Sequence, residues 1–277
     1  MILGASSYLG KKFSECLVKK HFVTGTYRNI PEKTNGMKAV ASDLKIIQNA
    51  LQEEKYDWII NCAAVYERRN TAKCKIVDAN LFFGLRVLDC AIDCGVKNFL
   101  TIDTGLPKDL NLYSFTKKQF AEFGRFYSTK YGITFINVLL EMFYGEDEPE
   151  GRFLSDVCRK IVRGEEVNLT EGKQKRDIIY IDDVCRALLL LLDSDLTGFW
   201  NVPLGCGEAI EIRKVIKFMH EVTKSRSSLY FGRVPMREGE PDCAADITLL
   251  RKLGFKPLYP WEKGLKQLCD KIMRIQK

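Results

Sequence analysis

Gly4-Ala5-Ser6-Ser7-Tyr8-Leu9-Gly10 is the stretch on which the fold turns. It follows the apolar run Met1–Leu3 and precedes a helical pattern over Lys12–Lys20. The first N–H groups of a helix have no partners inside the helix, and a glycine turn lets a phosphate approach them closely. Strand, turn and helix in this order therefore read as a dinucleotide-binding unit. Gly4 and Gly10 supply the tight turn and the close helix–strand contact, with Ser6, Ser7, Tyr8 and Leu9 between them. The spacing departs from G-x-G-x-x-G. Gly10-Lys11 gives a superficial likeness to a nucleoside-triphosphate loop. That reading fails, because five residues separate the glycines and Lys12 stands where Ser or Thr is required.

Outward from this turn, short apolar runs alternate with helical periodicity, the pattern of βαβ units. Strands are expected at Phe22–Tyr27, Lys38–Ala41, Trp58–Cys62, Phe99–Ile102 and Thr134–Leu140. Helices are expected around Ala50–Glu54, from Val77 to Cys94, and from Tyr113 to Lys130, the last ended by Gly132. After Tyr144-Gly145 the alternation stops at the acidic, Pro/Gly-containing segment Glu146–Gly151. An apolar helix begins at Asp182-Asp183-Val184, and Phe199–Val202 reads as a further strand. The expected class is α/β, a doubly wound parallel sheet of the Rossmann type with a smaller C-terminal substrate-binding lobe. Residues 1–150 would form the dinucleotide-binding domain, with 182–203 packing back onto it, and 151–277 the interleaved lobe.

The 277 residues are 46% apolar and 29% charged, an ordinary balance for a globular chain. The longest apolar run, Ala187–Leu192, is far too short to cross a bilayer. No basic-then-apolar leader opens the sequence, so a cytoplasmic location without membrane insertion is expected. The ten cysteines include no C-x-x-C, and the histidines are His21 and His220. Reduced, packed thiols and no metal site are expected. The net charge of +7 raises nucleic acid as a partner. Its cations come as scattered pairs, Lys11-Lys12, Lys19-Lys20 and Arg68-Arg69, without interleaved aromatics. An anionic substrate or cofactor accounts for them without nucleic acid.

Two further features bear on chemistry. Arg28 follows the second expected strand, where a carboxylate would hold a ribose 2′-hydroxyl; an arginine suits a 2′-phosphate and favours NADPH, with NADH possible. A solvated loop cation is the bland alternative. Tyr113 and Lys117 lie four apart and share one helix face. A neighbouring ammonium favours the phenolate, bringing a tyrosine toward a working proton donor. Such a pair also arises by chance on many helices.

The order Gly4–Gly10, Asp43-Leu44, Asn61-Cys62-Ala63-Ala64, Asn80, Thr104, Tyr113-x-x-x-Lys117, Tyr144-Gly145, Arg176-Asp177 and Asp182-Asp183-Val184 resembles the extended short-chain dehydrogenase/reductase family. The likeness continues to Arg237-Glu238-Gly239-Glu240 and Asp246. Thr101–Thr104 with Tyr113–Lys118 looks most like the CDP-abequose synthase group of nucleotide 4-ketosugar reductases. The resemblance implies Thr104, Tyr113 and Lys117 as the catalytic set: Thr104 bonding the carbonyl oxygen, Tyr113 donating the proton, Lys117 tuning it and holding the nicotinamide ribose. It implies Asp43 and Leu44 at the adenine, Ala63 and Ala64 lining the cofactor cleft, and Asn80 supporting the site. Arg176 and Arg237 would clamp a sugar nucleotide's diphosphate, although a salt bridge to a nearby aspartate is the plainer role for Arg176. Ser7 departs from the family's G-x-x-G-x-x-G, placing a Cβ near the pyrophosphate.

Gly105-Leu106 follow Thr104 where the family's dehydratases carry an acid–base pair, and Asp103 lies before it, out of phase. Dehydration is disfavoured. The expected activity is NADPH-dependent reduction of a nucleotide-linked 4-keto-6-deoxyhexose at C4, in deoxysugar biosynthesis for surface polysaccharide. The partner would be a nucleotide-diphosphate sugar, and the family makes a homodimer plausible. Alternatives are a 4-epimerase retaining NAD and a non-catalytic NADP sensor, the latter disfavoured by the intact Thr104, Tyr113 and Lys117.

Overall fold

The computed structural model describes residues 1–68, 70–236, 238–239 and 241–276. In chain order the first half runs β1 (Ile2–Leu3), α1 (Tyr8–Leu17), β2 (Thr24–Tyr27), β3 (Lys38–Ala41), α2 (Leu44–Glu53), β4 (Trp58–Asn61), α3 (Lys73–Val77), α4 (Phe83–Asp93), β5 (Asn98–Thr104), α5 (Leu112–Tyr131) and β6 (Thr134–Leu140). The second half continues with β7 (Met142–Tyr144), α6 (Phe153–Val162), β8 (Val167–Leu169), β9 (Lys175–Arg176), β10 (Ile178–Tyr180), α7 (Ile181–Leu192), β11 (Phe199–Leu204), β12 (Ile210–Glu211), α8 (Ile212–Thr223), β13 (Leu229–Phe231), α9 (Thr248–Lys252) and α10 (Trp261–Ile275).

Seven strands form the main sheet in the order β11-β6-β5-β4-β1-β2-β3, and the ladders joining β1 to β6 are parallel. This is the doubly wound arrangement expected from sequence. The order reverses at β1, which lies between β2 and β4, and the crevice at such a point is where open α/β sheets take ligands. The chain divides into two compact units, residues 1–140 with 189–202, and residues 141–188 with 203–277. Strand β7 belongs to the second unit because it pairs with β10, not with the main sheet.

The core of the first unit is aromatic where α5 crosses the sheet. Phe99 and Phe135 stack at 5.4 Å on neighbouring strands, and Phe120 of α5 meets both edge-on at 5.9 and 5.6 Å. All three are wholly buried. Their burial fixes which face of α5 turns inward, and with it the direction of the residues one turn earlier.

Three local expectations shift. Helix α1 begins at Tyr8, four residues before Lys12, because Ser7 caps it, its Oγ accepting from Gly10 N–H at 3.0 Å. Strand β2 starts at Thr24, leaving Phe22 two-thirds exposed. The long helix expected from Val77 is broken: α3 passes through a π-helical turn, Asp78–Phe82, before α4 begins. Among the described residues no helix is long and apolar enough to cross a membrane.

Candidate active site

The glycine turn is built around two close backbone approaches. Gly4 has φ +71°, and a Cβ there would fall 2.8 Å from Ala63 Cα. A Cβ on Gly10 would fall 2.4 Å from Gly4 O. Thr26 of β2 braces the turn: its Oγ1 accepts from Gly4 N–H at 3.1 Å, and its carbonyl accepts from Ala5 N–H at 3.1 Å. Ser7 sits at φ −67°, ordinary for an L-residue, so the turn does not need glycine there. Its hydroxyl is spent on the helix cap. Ser6 is exposed and the Leu9 side chain is in the core, so Leu9 can offer a ligand at this turn its backbone only.

Ala63, Ala64 and Asn80 meet on the far side of the turn. Asn80, buried on the π-helical turn, accepts from Val65 N–H at 2.7 Å and donates back to Val65 O at 2.9 Å. Its amide also donates to Thr116 Oγ1 at 3.3 Å, next to Lys117 on α5. One side chain thus ties the segment after β4 to the helix carrying the tyrosine and lysine. π-helical turns are frequent at functional sites because they re-aim a side chain in this way. Asp43 caps α2, its Oδ1 accepting from Lys45 and Ile46 N–H, and Leu44 packs half-buried against the core.

Helix α5 starts on a capping box: Asn111 Oδ1 accepts from Ser114 N–H at 2.8 Å, and Ser114 Oγ accepts from Asn111 N–H. This fixes Tyr113 in the first turn, where its ring lies 4.9 Å from Tyr66. Lys117, one turn on, is 2% exposed, and its Nζ has no hydrogen-bond partner among the described residues. Burial lowers its pKa; Asp103 and Cys62 oppose the shift and Lys118 adds to it. The Cys62 thiol is itself pushed up to about 12 by burial. Thr104, nearly buried at the end of β5, accepts from Leu106 N–H through Oγ1 at 3.2 Å.

A dinucleotide fits these residues on two counts. The glycines let the backbone close tightly ahead of α1, leaving its first N–H groups uncovered by a Cβ at Gly4 or Gly10, and the buried Lys117 Nζ has no acceptor among the described residues. A depression of about 460 Å³ adjoins them, lined by Arg28, Ala64, Val65, Tyr66, Arg68, Asn70, Thr71, Ala72 and Lys75. Sequence marks Arg28 by its place after β2; nothing local marks Arg68 and Lys75 as its neighbours.

Arg176 lies in the second unit on β9, 6% exposed, donating from Nη1 to Lys175 O at 2.8 Å and Pro241 O at 2.9 Å. Adjacent Asp177 is occupied by the N–H groups of Cys206, Gly207 and Ala245 at 2.7 to 3.0 Å. Arg237 lies outside the described residues. No group of three or more His, Cys, Asp or Glu among the described residues could hold a metal ion.

The family model described as NAD dependent epimerase/dehydratase matches residues 1–202. The CDP-abequose synthase of Salmonella muenchen is 28% identical, covering 98% of this chain and 96% of that protein. The UDP-glucose 4-epimerase of Thermotoga maritima, solved with UDP-glucose, superposes with a TM-score of 0.88 at 19% identity, over 100% of this chain and 99% of that one. That of Thermus thermophilus, solved with NAD, gives 0.85 at 19% identity, over 98% and 97%. These two structures share the fold.

Proposed function

This chain belongs to the NAD-dependent epimerase/dehydratase family, and on that premise we propose that it reduces the C4 keto group of a nucleotide-linked 4-keto-6-deoxyhexose with NADPH. The cofactor, when bound, supplies the hydride. Tyr113 donates its phenolic proton to the carbonyl oxygen as alkoxide charge develops, and Thr104 Oγ1 holds that oxygen by a hydrogen bond. Lys117 keeps a positive charge beside the phenol, which favours proton release from it. Gly4 to Gly10 receive the pyrophosphate at the start of α1. Asp43, Leu44, Ala63 and Ala64 hold the adenosine half, and Asn80 keeps the two walls of the cleft in register. Arg176 and Arg237 take the substrate's diphosphate, which a planar, permanently charged fork suits.

The observation that carries reduction over epimerisation is the depression at Arg28. Arg28, Arg68 and Lys75 are three cations around it, and there is no carboxylate among the described residues that line it. A ribose 2′-phosphate suits that set; a bare 2′-hydroxyl calls for an acceptor instead. A reductase consuming NADPH uses such a site, whereas an epimerase recycling NAD does not need it. A cytoplasmic location goes with the proposal, supported by ten cysteines that form no disulfide. The proposed assembly is a homodimer, supported by the exposed aromatics Phe115, Phe123 and Phe126 on α5.

The test is NADPH oxidation at 340 nm across CDP-, dTDP-, GDP- and UDP-linked 4-keto-6-deoxyhexoses. Consumption with one of them, lost in Tyr113→Phe, is the expected outcome. No consumption with any, together with NAD that co-purifies and C4 inversion of a sugar nucleotide, would replace the reductase with an epimerase.

A further inference from the structure

The end of β5 poses a hydrogen-bonding problem that the chain solves with two charged side chains. Strand β4 pairs with β5 only as far as Thr101, while β6 continues alongside to Thr104. Gly105 N–H already bonds Leu140 O of β6 at 3.1 Å. Because successive residues of a strand point their backbone groups to opposite sides, the N–H and C=O of Thr104 turn to the side that β4 no longer covers. Buried backbone groups without a ladder partner need another one. Asp103 Oδ1 accepts from Thr104 N–H at 2.7 Å, and Lys118 Nζ donates to Thr104 O. The two side chains are themselves joined, Lys118 Nζ to Asp103 Oδ2 at 3.1 Å, with Asn137 Nδ2 donating to the same oxygen at 3.0 Å. The Asp103 side chain is fully buried and that of Lys118 is 20% exposed.

We infer that Asp103 and Lys118 are positioning residues: between them they hold both backbone groups of Thr104, the N–H and the C=O, and they face Lys117 with opposite charges. The inference rests on the catalytic roles proposed for Thr104, Tyr113 and Lys117. It assigns a purpose to the aspartate that is out of phase for acid–base catalysis. Thr104 and Asp103 alternate across the strand, so one can face the reacting carbonyl while the other anchors the backbone behind it. A simple strand-end repair would need only one neutral donor and one neutral acceptor. Here the acceptor is a buried carboxylate and the donor an ammonium, and both lie within electrostatic reach of Lys117. The other titratable group acting on Lys117 is Cys62, just after β4; Tyr113 lies one turn back on the same helix. Cys62 is a thiol through the neutral range, since burial pushes it to about 12. Burial is the leading influence on the charge of Lys117, and Asp103 and Lys118 are the charged side chains that bias it in opposite directions.

The signs follow directly. Asp103 favours the Lys117 ammonium, so Asp103→Asn makes Lys117 lose its proton at lower pH. Lys118 repels that ammonium, so Lys118→Met makes it lose the proton at higher pH. A rearrangement of packing alone would not move the two in opposite directions.

The experiment measures kcat and KM against pH for the wild type, Asp103→Asn, Lys118→Met and Lys118→Arg. In parallel, NMR of ¹³C,¹⁵N-lysine-labelled protein follows Lys117 titration, its signal assigned by its loss in Lys117→Met. The alkaline limb of kcat and the Lys117 signal are expected to move together, down in Asp103→Asn and up in Lys118→Met, by about one pH unit. Lys118→Met also lowers kcat by about 10- to 100-fold with little change in KM, as loss of alignment does. Lys118→Arg restores most of it. Shifts in the same direction, no shift, or losses that follow only the folded fraction would overturn the inference. If the wild type reduces no substrate, the proposed function fails while the lysine titration still decides: opposite displacements keep the network's hold on Lys117, and any other result ends it.

Discussion

Lys117 carries its amine where water does not reach it. An ammonium buried without an acceptor costs free energy, and among the described residues Lys117 Nζ has none, one turn from a tyrosine. Burial as the leading cause of its lowered pKa means that the folded protein holds this proton less tightly than the unfolded chain does. Its contribution to stability therefore becomes more favourable as pH rises through the lowered folded value toward the unfolded one. The pair Tyr113 and Lys117 is legible in the sequence because helix geometry places residues four apart on one face. At Arg28 the sequence shows one cation, and the fold adds Arg68 and Lys75 from some forty residues further along. Arg28→Ala is expected to weaken NADPH binding about 10- to 100-fold, the range for losing a charge-assisted hydrogen bond. NADH binding should stay within about twofold on the same reasoning, since it lacks the phosphate. Fluorescence titration with each reduced cofactor measures this, and equal losses for both would remove the 2′-phosphate from Arg28.

At the level of elements, the π-helical turn between α3 and α4 is the feature that apolar periodicity could not reveal. The spacing of buried residues is nearly the same through a helix with one widened turn, so Val77–Cys94 reads as continuous. The widening carries Asn80 to the segment after β4 and to α5 at once. Asn80→Ala would leave both backbone groups of Val65 without that partner, at a cost of about 1–3 kcal/mol for buried unsatisfied groups. The expected result is a lower urea midpoint together with faster proteolysis between residues 64 and 72; an unchanged midpoint would mean that the turn is held by other contacts. The start of α1 likewise differs from its apolar pattern, because the Ser7 hydroxyl, worth about 1 kcal/mol as a cap, begins the helix four residues earlier.

For the molecule as a whole, Phe115, Phe123 and Phe126 lie on one exposed side of α5, with Phe82 also exposed before α4. Several large aromatics clustered on a solvated helix mark an association surface more often than chance placement does. The proposed homodimer is checked by sedimentation velocity: twice the chain mass is expected, and Phe126→Glu should release monomer. A monomeric wild type at micromolar concentration would remove the dimer from the proposal. The division into two units is not a cut in the sequence, since residues 189–202 return to the first unit after 141–188 have left it.

Parallel strands, their connecting helices and the phosphate turn are encoded locally, in alternating periodicity and in glycines whose missing Cβ is the message, so the order of residues alone is enough to read them. The Lys118 bond to the Thr104 carbonyl, the cations around Arg28 and the three bonds of Asn80 join residues 14 to about 47 positions apart. No window of sequence contains both ends of such contacts. They come into being only when the sheet order sets β2, β1, β4 and β5 in a row, because a side chain's electrostatic and hydrogen-bonding surroundings are set by distance in space and not by distance along the chain.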